Sequence, residues 1–169
     1  MDIKLKPISK SGIAEAISKA ELYRYLNEPE EAESICHDIL AIEPGHQFAL
    51  RLLGLTITDQ FDGSRADRYA EVERHFRSLT NKYEQFYYLG ILHERRAKAQ
   101  LRAGRAPHTL LPLFEEAMRC FAEAEKVRPA NNDDAILRWN RCARLLKSTP
   151  GFATELEVTS LEDHDSPPH

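Results

Sequence analysis

The stretch YLNEPEEAESICHDILAIEPGH, Tyr25 to His46, is typical of one helix placed between two stop signals. Pro29 stands where a first helical turn begins, because a helix needs no N–H there, and two glutamates follow it at the positive end of the helix dipole. Pro44-Gly45 then ends the helix and turns the chain. The stretch therefore predicts one half of a helical hairpin, and the fold depends on whether this pattern recurs.

The remaining sequence has the same helical periodicity. Apolar residues recur three and four positions apart nearly everywhere, and no segment alternates like a half-buried strand. We therefore predict an all-α protein of about seven antiparallel helices, with Thr109 capping the sixth and Gly104 ending the fifth. Besides the helix after Pro29, the predicted helices run from just after Ser9 or Ser11 to Asn27, and over 47–59, 66–80, 82–103, 109–127 and 132–148.

The composition is that of a globular domain, with 169 residues, 42% of them hydrophobic and 30% charged. The first residues contain no signal-peptide core, and no run approaches the ~20 apolar residues that cross a bilayer. We therefore expect a cytoplasmic protein without membrane contact. Cys36, Cys120 and Cys142 lie inside helical patterns without CxxC spacing, so we expect reduced, buried thiols.

Charge is distributed unevenly although the net charge is only −4. Acidic residues are in excess over 1–46 and basic residues over 47–149, while 150–169 contain no lysine or arginine. Most cations of the middle block are arginines, whose forked guanidinium suits carboxylates. We expect 150–169 to form a flexible acidic tail, and a further hypothesis places this tail in a binding groove as an internal ligand.

Two motifs show that the helical hairpin recurs. The pattern Leu50-x-x-Leu53-Gly54-x-x-Ile57 returns as Phe86-x-x-Leu89-Gly90-x-x-His93. The second helices agree as well, since Ala32, Cys36, Ile39 and Pro44 have the same spacing as Ala117, Phe121, Ala124 and Pro129. Gly54 and Gly90 are 36 residues apart, and a recurrence at a spacing of this kind is the signature of a helical repeat.

These residues resemble the tetratricopeptide repeat (TPR), whose helix pairs need small residues where neighbouring helices approach and a proline where the second helix ends. The resemblance covers 13–129 as three irregular units and implies an α-α superhelix. It implies a helical-repeat domain over 1–149, in which 132–148 form a capping helix. The second helix of the middle unit lacks the alanine and the terminal proline. The third unit has about fifteen extra residues, which predict an extended hairpin with a projecting arm near 97–112.

In TPR arrays the first helix of each pair lines the concave face, so the resemblance implies a partner-binding surface. The implied residues are Arg24, Tyr25, Phe48, Arg51, Tyr87, Tyr88 and Arg95. Arginines among aromatic rings can hold carboxylates while the rings supply buried area. We therefore expect the partner to be another protein or a peptide with acidic groups. For each residue alone, packing between helices is the competing interpretation.

No motif indicates catalysis. The histidines form no HxH pair, and His93-Glu94 begins like HExxH but has Ala97 where the second histidine belongs. There is no glycine-rich phosphate loop and no GxSxG nucleophile. We therefore expect no enzyme activity, no cofactor and no metal ion, and we expect lone helical histidines such as His93 to be structural.

The last predicted helix has features that could suggest nucleic-acid binding. Arg138, Arg141 and Arg144 form a basic strip beside Trp139. However, Trp139 is expected to pack inward, and the chain as a whole is acidic. The predicted apolar face of this helix consists of Ile136, Trp139, Ala143 and Leu146. We do not expect nucleic acid to be the partner.

Together, these patterns predict a helical-repeat adaptor or scaffold that docks another protein through the groove, the inserted arm or both. A homodimer is a second expectation, because a short array with apolar groove residues can bury them against its own copy. The alternative is an obligate accessory subunit or stabilising chaperone of a larger complex. An enzyme is the third hypothesis.

Overall fold

The computed structural model of the protein describes residues 3–64 and 67–152. Within these ranges the chain has seven α-helices and no strand, which confirms the prediction of an all-α protein. The helices are α1 (Ile13–Tyr25), α2 (Pro29–Ile42), α3 (Gln47–Asp59), α4 (Tyr69–Arg77), α5 (Lys82–Arg102), α6 (Leu111–Lys126) and α7 (Asp134–Ser148). Short 3₁₀ turns, Lys10–Gly12 and Pro107–Leu110, precede α1 and α6.

Local signals account for most helix ends. Pro29 occupies the first turn of α2, and the side chains of His46 and Asn81 accept hydrogen bonds from the first turns of α3 and α5. Asn27 and Gly104 follow α1 and α5 with φ values of 62° and 86°. At both places the N–H group of this residue and the N–H group of the residue after it donate to carbonyls in the last turn of the helix. Each of the two helices therefore ends in a left-handed cap.

Each helix packs mainly against the helix before it and the helix after it. Short connections between helices in contact produce a series of αα-hairpins. Among the described helices, contact between alternate helices is concentrated on the odd-numbered side, where α3 touches both α1 and α5. The helices α1, α3 and α5 therefore lie side by side.

The same small-to-large contact recurs in successive hairpins. A Cβ atom at Gly54 on α3 would lie 2.3 Å from the Phe76 ring of α4, and one at Gly90 on α5 would lie 2.5 Å from the Phe121 ring of α6. Glycine at these positions lets the next helix insert a ring against the backbone. The spacing of Gly54 and Gly90 in the sequence thus marks equivalent contacts.

The predicted limits of two helices, α4 and α6, were wrong. α4 begins at Tyr69 and ends at Arg77, inside the predicted range of 66–80. The α6 helix begins at Leu111, and Thr109 is part of the preceding 3₁₀ turn, where its hydroxyl donates to the carbonyl of Ala106. Thr109 therefore does not cap α6, because its side chain is used one turn earlier.

The predicted apolar face of α7 also needs correction. The buried residues of this helix are Ala135, Cys142 and Leu146. Trp139 is 39% exposed and does not pack inward as expected. Of the predicted face, Leu146 is buried, and the other buried positions are the neighbouring small residues Ala135 and Cys142.

The third hairpin is long, as the prediction of an extended hairpin requires, but much of the segment 97–112 is packed. Ala97, Ala99 and Leu110 are buried, and the backbone of Gly63 lies against Ala99 in α5. The longest exposed run of the predicted arm is its tip at 102–106, and His108, Thr109 and Pro112 are exposed as well.

The packed part of the chain extends past the predicted boundary at residue 150. Phe152 has no exposed surface, and its ring lies edge-on to that of Phe114, with centroids 5.5 Å apart. The remainder of the predicted tail, 153–169, lies outside the described residues, and so does the hypothesis that it occupies a groove. Over 3–64 and 67–152, none of the helices has both the length and the apolar character to span a membrane.

Candidate protein-binding cleft

A cleft of about 750 Å³ opens on the side formed by the odd-numbered helices. We call it the odd-helix cleft, and its lining residues are Glu21, Arg24, Tyr25, Asn27, Phe48, Arg51, Leu52, Leu55, Asp59 and Tyr88. This list includes five of the residues that the TPR resemblance implied, namely Arg24, Tyr25, Phe48, Arg51 and Tyr88. Residues from α1, α3 and α5 meet here because these helices are neighbours.

Aromatic side chains provide the contact area of the odd-helix cleft. Tyr25 at the end of α1 is 87% exposed, which is unusual for a ring of this size. Phe48 and Tyr88 are partly buried and pack against the core of the first hairpins. Burial raises the pKa of the Tyr88 hydroxyl, so this group stays protonated and can donate a hydrogen bond.

Arg51 links these rings to an acidic residue. The guanidinium carbon of Arg51 lies 4.3 Å from the centroid of the Phe48 ring and 5.7 Å from that of Tyr88. Its Nη1 donates to Oε1 of Glu84 at 2.5 Å. The side chain is 22% exposed, and a guanidinium has more N–H donors than one carboxylate uses. Arg51 is therefore oriented in advance and can still hold a second carboxylate.

Asp59 pairs with two of the predicted arginines at once. Nε of Arg24 donates to Oδ2 of Asp59 at 2.5 Å, and Nη1 of Arg95 donates to Oδ1 at 2.5 Å. These two ion pairs join α1, α3 and α5 through the single carboxylate of Asp59. Much of the positive charge that the sequence assigned to a partner is thus neutralised within the chain.

Arg95 supports α3 more than it lines the cleft. Its Nη1 also donates to the hydroxyl of Thr58 at 2.7 Å and to the carbonyl of Leu55 at 3.2 Å, near the end of α3. Burial lowers the pKa of the Arg95 guanidinium, although Asp59 opposes this effect. All three contacts are made by Nη1, so this end of the Arg95 guanidinium is used inside the protein.

Tyr87 belongs to the packing between helices. Its ring stacks on Tyr83 with centroids 5.6 Å apart and also approaches Phe121, 6.0 Å away, on α6. It contacts Tyr88 edge-on. The adjacent tyrosines of α5 therefore face different surroundings, and it is Tyr88 that lines the cleft.

A smaller recess of about 280 Å³ adjoins the odd-helix cleft at Asp59 and continues toward α7. Its central residue is Glu94, whose side chain has no exposed surface and pairs with Lys98 and Arg138. Arg138 lies 3.3 Å from Glu94, so it is turned toward the protein. The basic strip predicted on α7 is therefore interrupted at its first residue.

One cluster of functional groups was missed by the sequence analysis. His93 of α5 lies beside Glu116 and Cys120 of α6, with one candidate ligand atom from each residue within 4.8 Å of the others. The spacing of Glu116 and Cys120, one helical turn apart, is a signal for a shared face. His93 is distant from both residues in the sequence, so its place beside them can be recognised only when the register between α5 and α6 is known.

The protonation states in this cluster follow from its surroundings. Burial lowers the pKa of His93, while Glu116 raises it to a smaller extent. Hydrogen bonds from Arg119 lower the pKa of Glu116, so the carboxylate is ionised at neutral pH. Burial raises the pKa of the Cys120 thiol to about 11, so this thiol is not a reactive nucleophile.

No family model matches the chain, and no match was found among the curated proteins or the solved structures. Function must therefore be argued from the geometry of the described residues.

Proposed function

We propose that the protein is a protein-interaction module of the TPR type that binds a peptide segment of a partner in the odd-helix cleft. The observation that carries this proposal is the cleft itself, which is lined by both an exposed tyrosine, Tyr25, and a pre-oriented arginine, Arg51. Aromatic residues and arginine are the side chains that contribute most to protein interfaces. The mechanism is equilibrium docking without a chemical step.

The repeated packing contacts support the TPR part of the proposal. Gly54 meets Phe76, and Gly90 meets Phe121 at a similar distance. In the first hairpin, Ala20 and Cys36 are both fully buried. Each hairpin thus has a small residue in its first helix and a buried residue in its second, as a stack of similar units requires.

The charges of the cleft define the partner more narrowly than the sequence did. Asp59 already accepts from Arg24 and Arg95 and offsets one of their two positive charges, so a purely acidic peptide gains less from these arginines than their number in the sequence suggests. Arg51 retains donors and lies against two rings. We therefore propose a segment that carries an aromatic or branched aliphatic residue, which packs on Tyr25 and Phe48, next to one carboxylate that binds Arg51.

The experiment compares partners captured by three forms of the full chain in lysate of the source cells. The test variant is Tyr25→Ala/Arg51→Ala, which removes the exposed ring and the available guanidinium. The matched control is Leu137→Ala/Arg141→Ala, which removes an exposed apolar residue and an exposed arginine from α7. Arg95 is left unchanged because its substitution would disturb α3.

The proposal predicts that the partners of the wild type are lost from the test variant and kept by the control. Circular dichroism must show that both variants are folded. Equal partner sets for the wild type and the test variant would contradict binding in the cleft. They would direct attention to the exposed tip at 102–106.

A second candidate function, an obligate subunit of a larger assembly, is favoured by one observation. Leu22 and Leu26, like Tyr25, are exposed at the end of α1, with exposed fractions of 48% and 53%. Such an apolar patch suits a permanent interface with another subunit or a second copy of this chain. Light scattering of the purified chain discriminates, since a module should be soluble and stable alone, as a monomer or a homodimer, whereas aggregation supports the obligate subunit.

A further inference from the structure

The most specific unassigned group of side chains lies in the α5–α6 hairpin. His93 Nε2 is 3.9 Å from Oε1 of Glu116, and the Cys120 sulfur is 4.0 Å from the same oxygen. All three candidate ligand atoms lie within 4.8 Å of one another. We propose that His93, Glu116 and Cys120 form a binding site for a divalent transition-metal ion, with Zn²⁺ as the preferred ion.

The spacing of the three atoms fits a metal ion of this kind. With bonds of about 2.0–2.3 Å, the ligand atoms of a tetrahedral zinc site stand about 3.3–3.6 Å apart. Two of the observed separations, 3.9 and 4.0 Å, exceed these values by about 0.3–0.7 Å, and the third is within 4.8 Å, so side-chain rotations have to bring the three ligand atoms closer together when an ion binds. An open fourth position would be filled by water, as in zinc sites with three protein ligands.

The donor set indicates which ions are suitable. A thiolate, an imidazole and a carboxylate together match the borderline-soft character of Zn²⁺ and of the similar ion Co²⁺. Mg²⁺ and Ca²⁺ prefer sites made of oxygen atoms. The site should therefore bind Zn²⁺ and Co²⁺ and ignore Mg²⁺, which gives the test a negative control.

The surroundings of His93 help to orient it as a ligand. The Tyr69 hydroxyl lies 3.4 Å from Nδ1 of His93. If Nδ1 carries the proton and donates to Tyr69, Nε2 is left with a free electron pair facing Glu116 and Cys120. Tyr69 is itself held by Arg96, whose guanidinium carbon is 4.3 Å from its ring centroid. Such outer partners fix a ligating histidine.

Access to the site is through Glu116. The His93 and Cys120 side chains are buried, whereas that of Glu116 is 38% exposed. Arg119 now occupies this carboxylate, with Nη2 2.5 Å from Oε1. Since Arg119 is 60% exposed, it can move into solvent when an ion takes its place. Arg119 is thus a competitor for the site, and its removal should strengthen metal binding.

The first experiment titrates the metal-free full chain, purified under reducing conditions, with Co²⁺ alone. Binding at the site predicts a thiolate-to-cobalt charge-transfer band in the near ultraviolet and a ratio of one ion per chain. Zn²⁺ should displace the Co²⁺ and remove the band, while Mg²⁺ should have no effect. Absence of the charge-transfer band would overturn the proposal, because Cys120 would not be a ligand.

Variants separate the site from other binding. Glu116→Gln and Cys120→Ser should each weaken Co²⁺ binding by at least about tenfold, whereas Cys142→Ala, which alters another buried thiol, should leave it unchanged. Arg119→Gln should tighten binding. Circular dichroism checks the fold of each variant. Glu116→Gln changes a partly exposed side chain, so it tests the site even if the buried position of Cys120 does not tolerate serine. Unchanged affinity in Glu116→Gln or loss of binding in Cys142→Ala would contradict the site.

Discussion

Gly90 on α5 lies so close to the ring of Phe121 on α6 that a Cβ atom at Gly90 would stand 2.5 Å from Cε1 of that ring. We expect Gly90→Ala to lower the free energy of unfolding by about 1–3 kcal/mol, because the ring must move within a packed core. In an open helix the same change would be stabilising by up to about 1 kcal/mol. Urea denaturation followed by circular dichroism measures the difference.

The control for this prediction is Gly45→Ala, since nothing lies within 4 Å of a Cβ atom at Gly45. Its effect should stay within about 1 kcal/mol. A stabilised Gly90→Ala protein would show that the α5–α6 contact is looser than described.

A second prediction concerns Arg95, which the sequence presents as a binding residue equivalent to Arg51. Arg95→Ala should lower the free energy of unfolding by about 2–3 kcal/mol, because the Thr58 hydroxyl, the Leu55 carbonyl and Asp59 lose a shared donor. Arg51→Ala should cost about 1 kcal/mol or less, since it removes the bond to Glu84 and leaves no backbone carbonyl or hydroxyl of α3 without its donor. Thermal unfolding of both variants tests this difference, and equal losses would contradict it.

The third prediction is a pH dependence of stability. Burial lowers the pKa of His75 below 6.5, although Glu71 opposes this effect, and Arg74 and His37 add to it. Because the unfolded chain then binds a proton that the folded chain rejects, stability is unaffected above pH 6.5 and falls as the pH is lowered through that value. Burial also lowers the pKa of His93, so this residue too should reduce stability as the pH is lowered.

The measurement is urea denaturation between pH 7.5 and 5.5 with a chelator present, so that metal binding does not contribute. Each histidine can contribute a slope of at most about 1.4 kcal/mol per pH unit. His75→Gln should reduce the slope, and His108→Gln, at an exposed position in the Pro107–Leu110 turn, serves as the control. A slope that is unchanged in His75→Gln would show that other groups cause the dependence.

The fourth prediction concerns the end of the packed chain. A protein truncated after Thr149 should be less stable than one truncated after Phe152, by about 3 kcal/mol, because the first loses a fully buried phenylalanine that packs on Phe114. Phe152→Ala in the full chain should have a similar effect. Scanning calorimetry of the two truncated proteins provides the comparison, and equal melting temperatures would contradict the burial of Phe152.

The same pair of proteins allows a clean test of the hypothesis that 153–169 occupy the binding groove. Truncation after Phe152 removes the acidic segment and keeps the packed ring. Partner affinity should then rise if the segment competes with the partner. Unchanged affinity would remove autoinhibition from consideration.

The helices themselves could be predicted well from the sequence, because their limits depend on residues within one turn of each end. Pro29 begins α2, Pro44-Gly45 follows it, and Gly104 ends α5 in a left-handed conformation. Where the prediction was wrong, a competing local bond explains the error. The Thr109 hydroxyl donates to the carbonyl of Ala106 within a 3₁₀ turn, so it does not cap α6, which begins at Leu111.

The candidate site could be predicted only in part, since a side chain's role depends on partners that are distant in the sequence. Tyr87 and Tyr88 are adjacent, yet one packs between helices and the other lines the cleft. His93 and Cys120 lie close together because of the way α5 packs on α6. No pattern of neighbouring residues in the sequence predicts this contact.

The sequence by itself thus determined that the chain is helical, where most helices begin and end, and which glycines recur at helix contacts. These properties follow from backbone conformation and periodicity, which act over a few residues. Only the tertiary structure decided which arginines remain available, because Asp59 reaches both Arg24 and Arg95 across three helices. Pairing of charges depends on distances of a few ångströms in space, and the order of residues along the chain does not specify them.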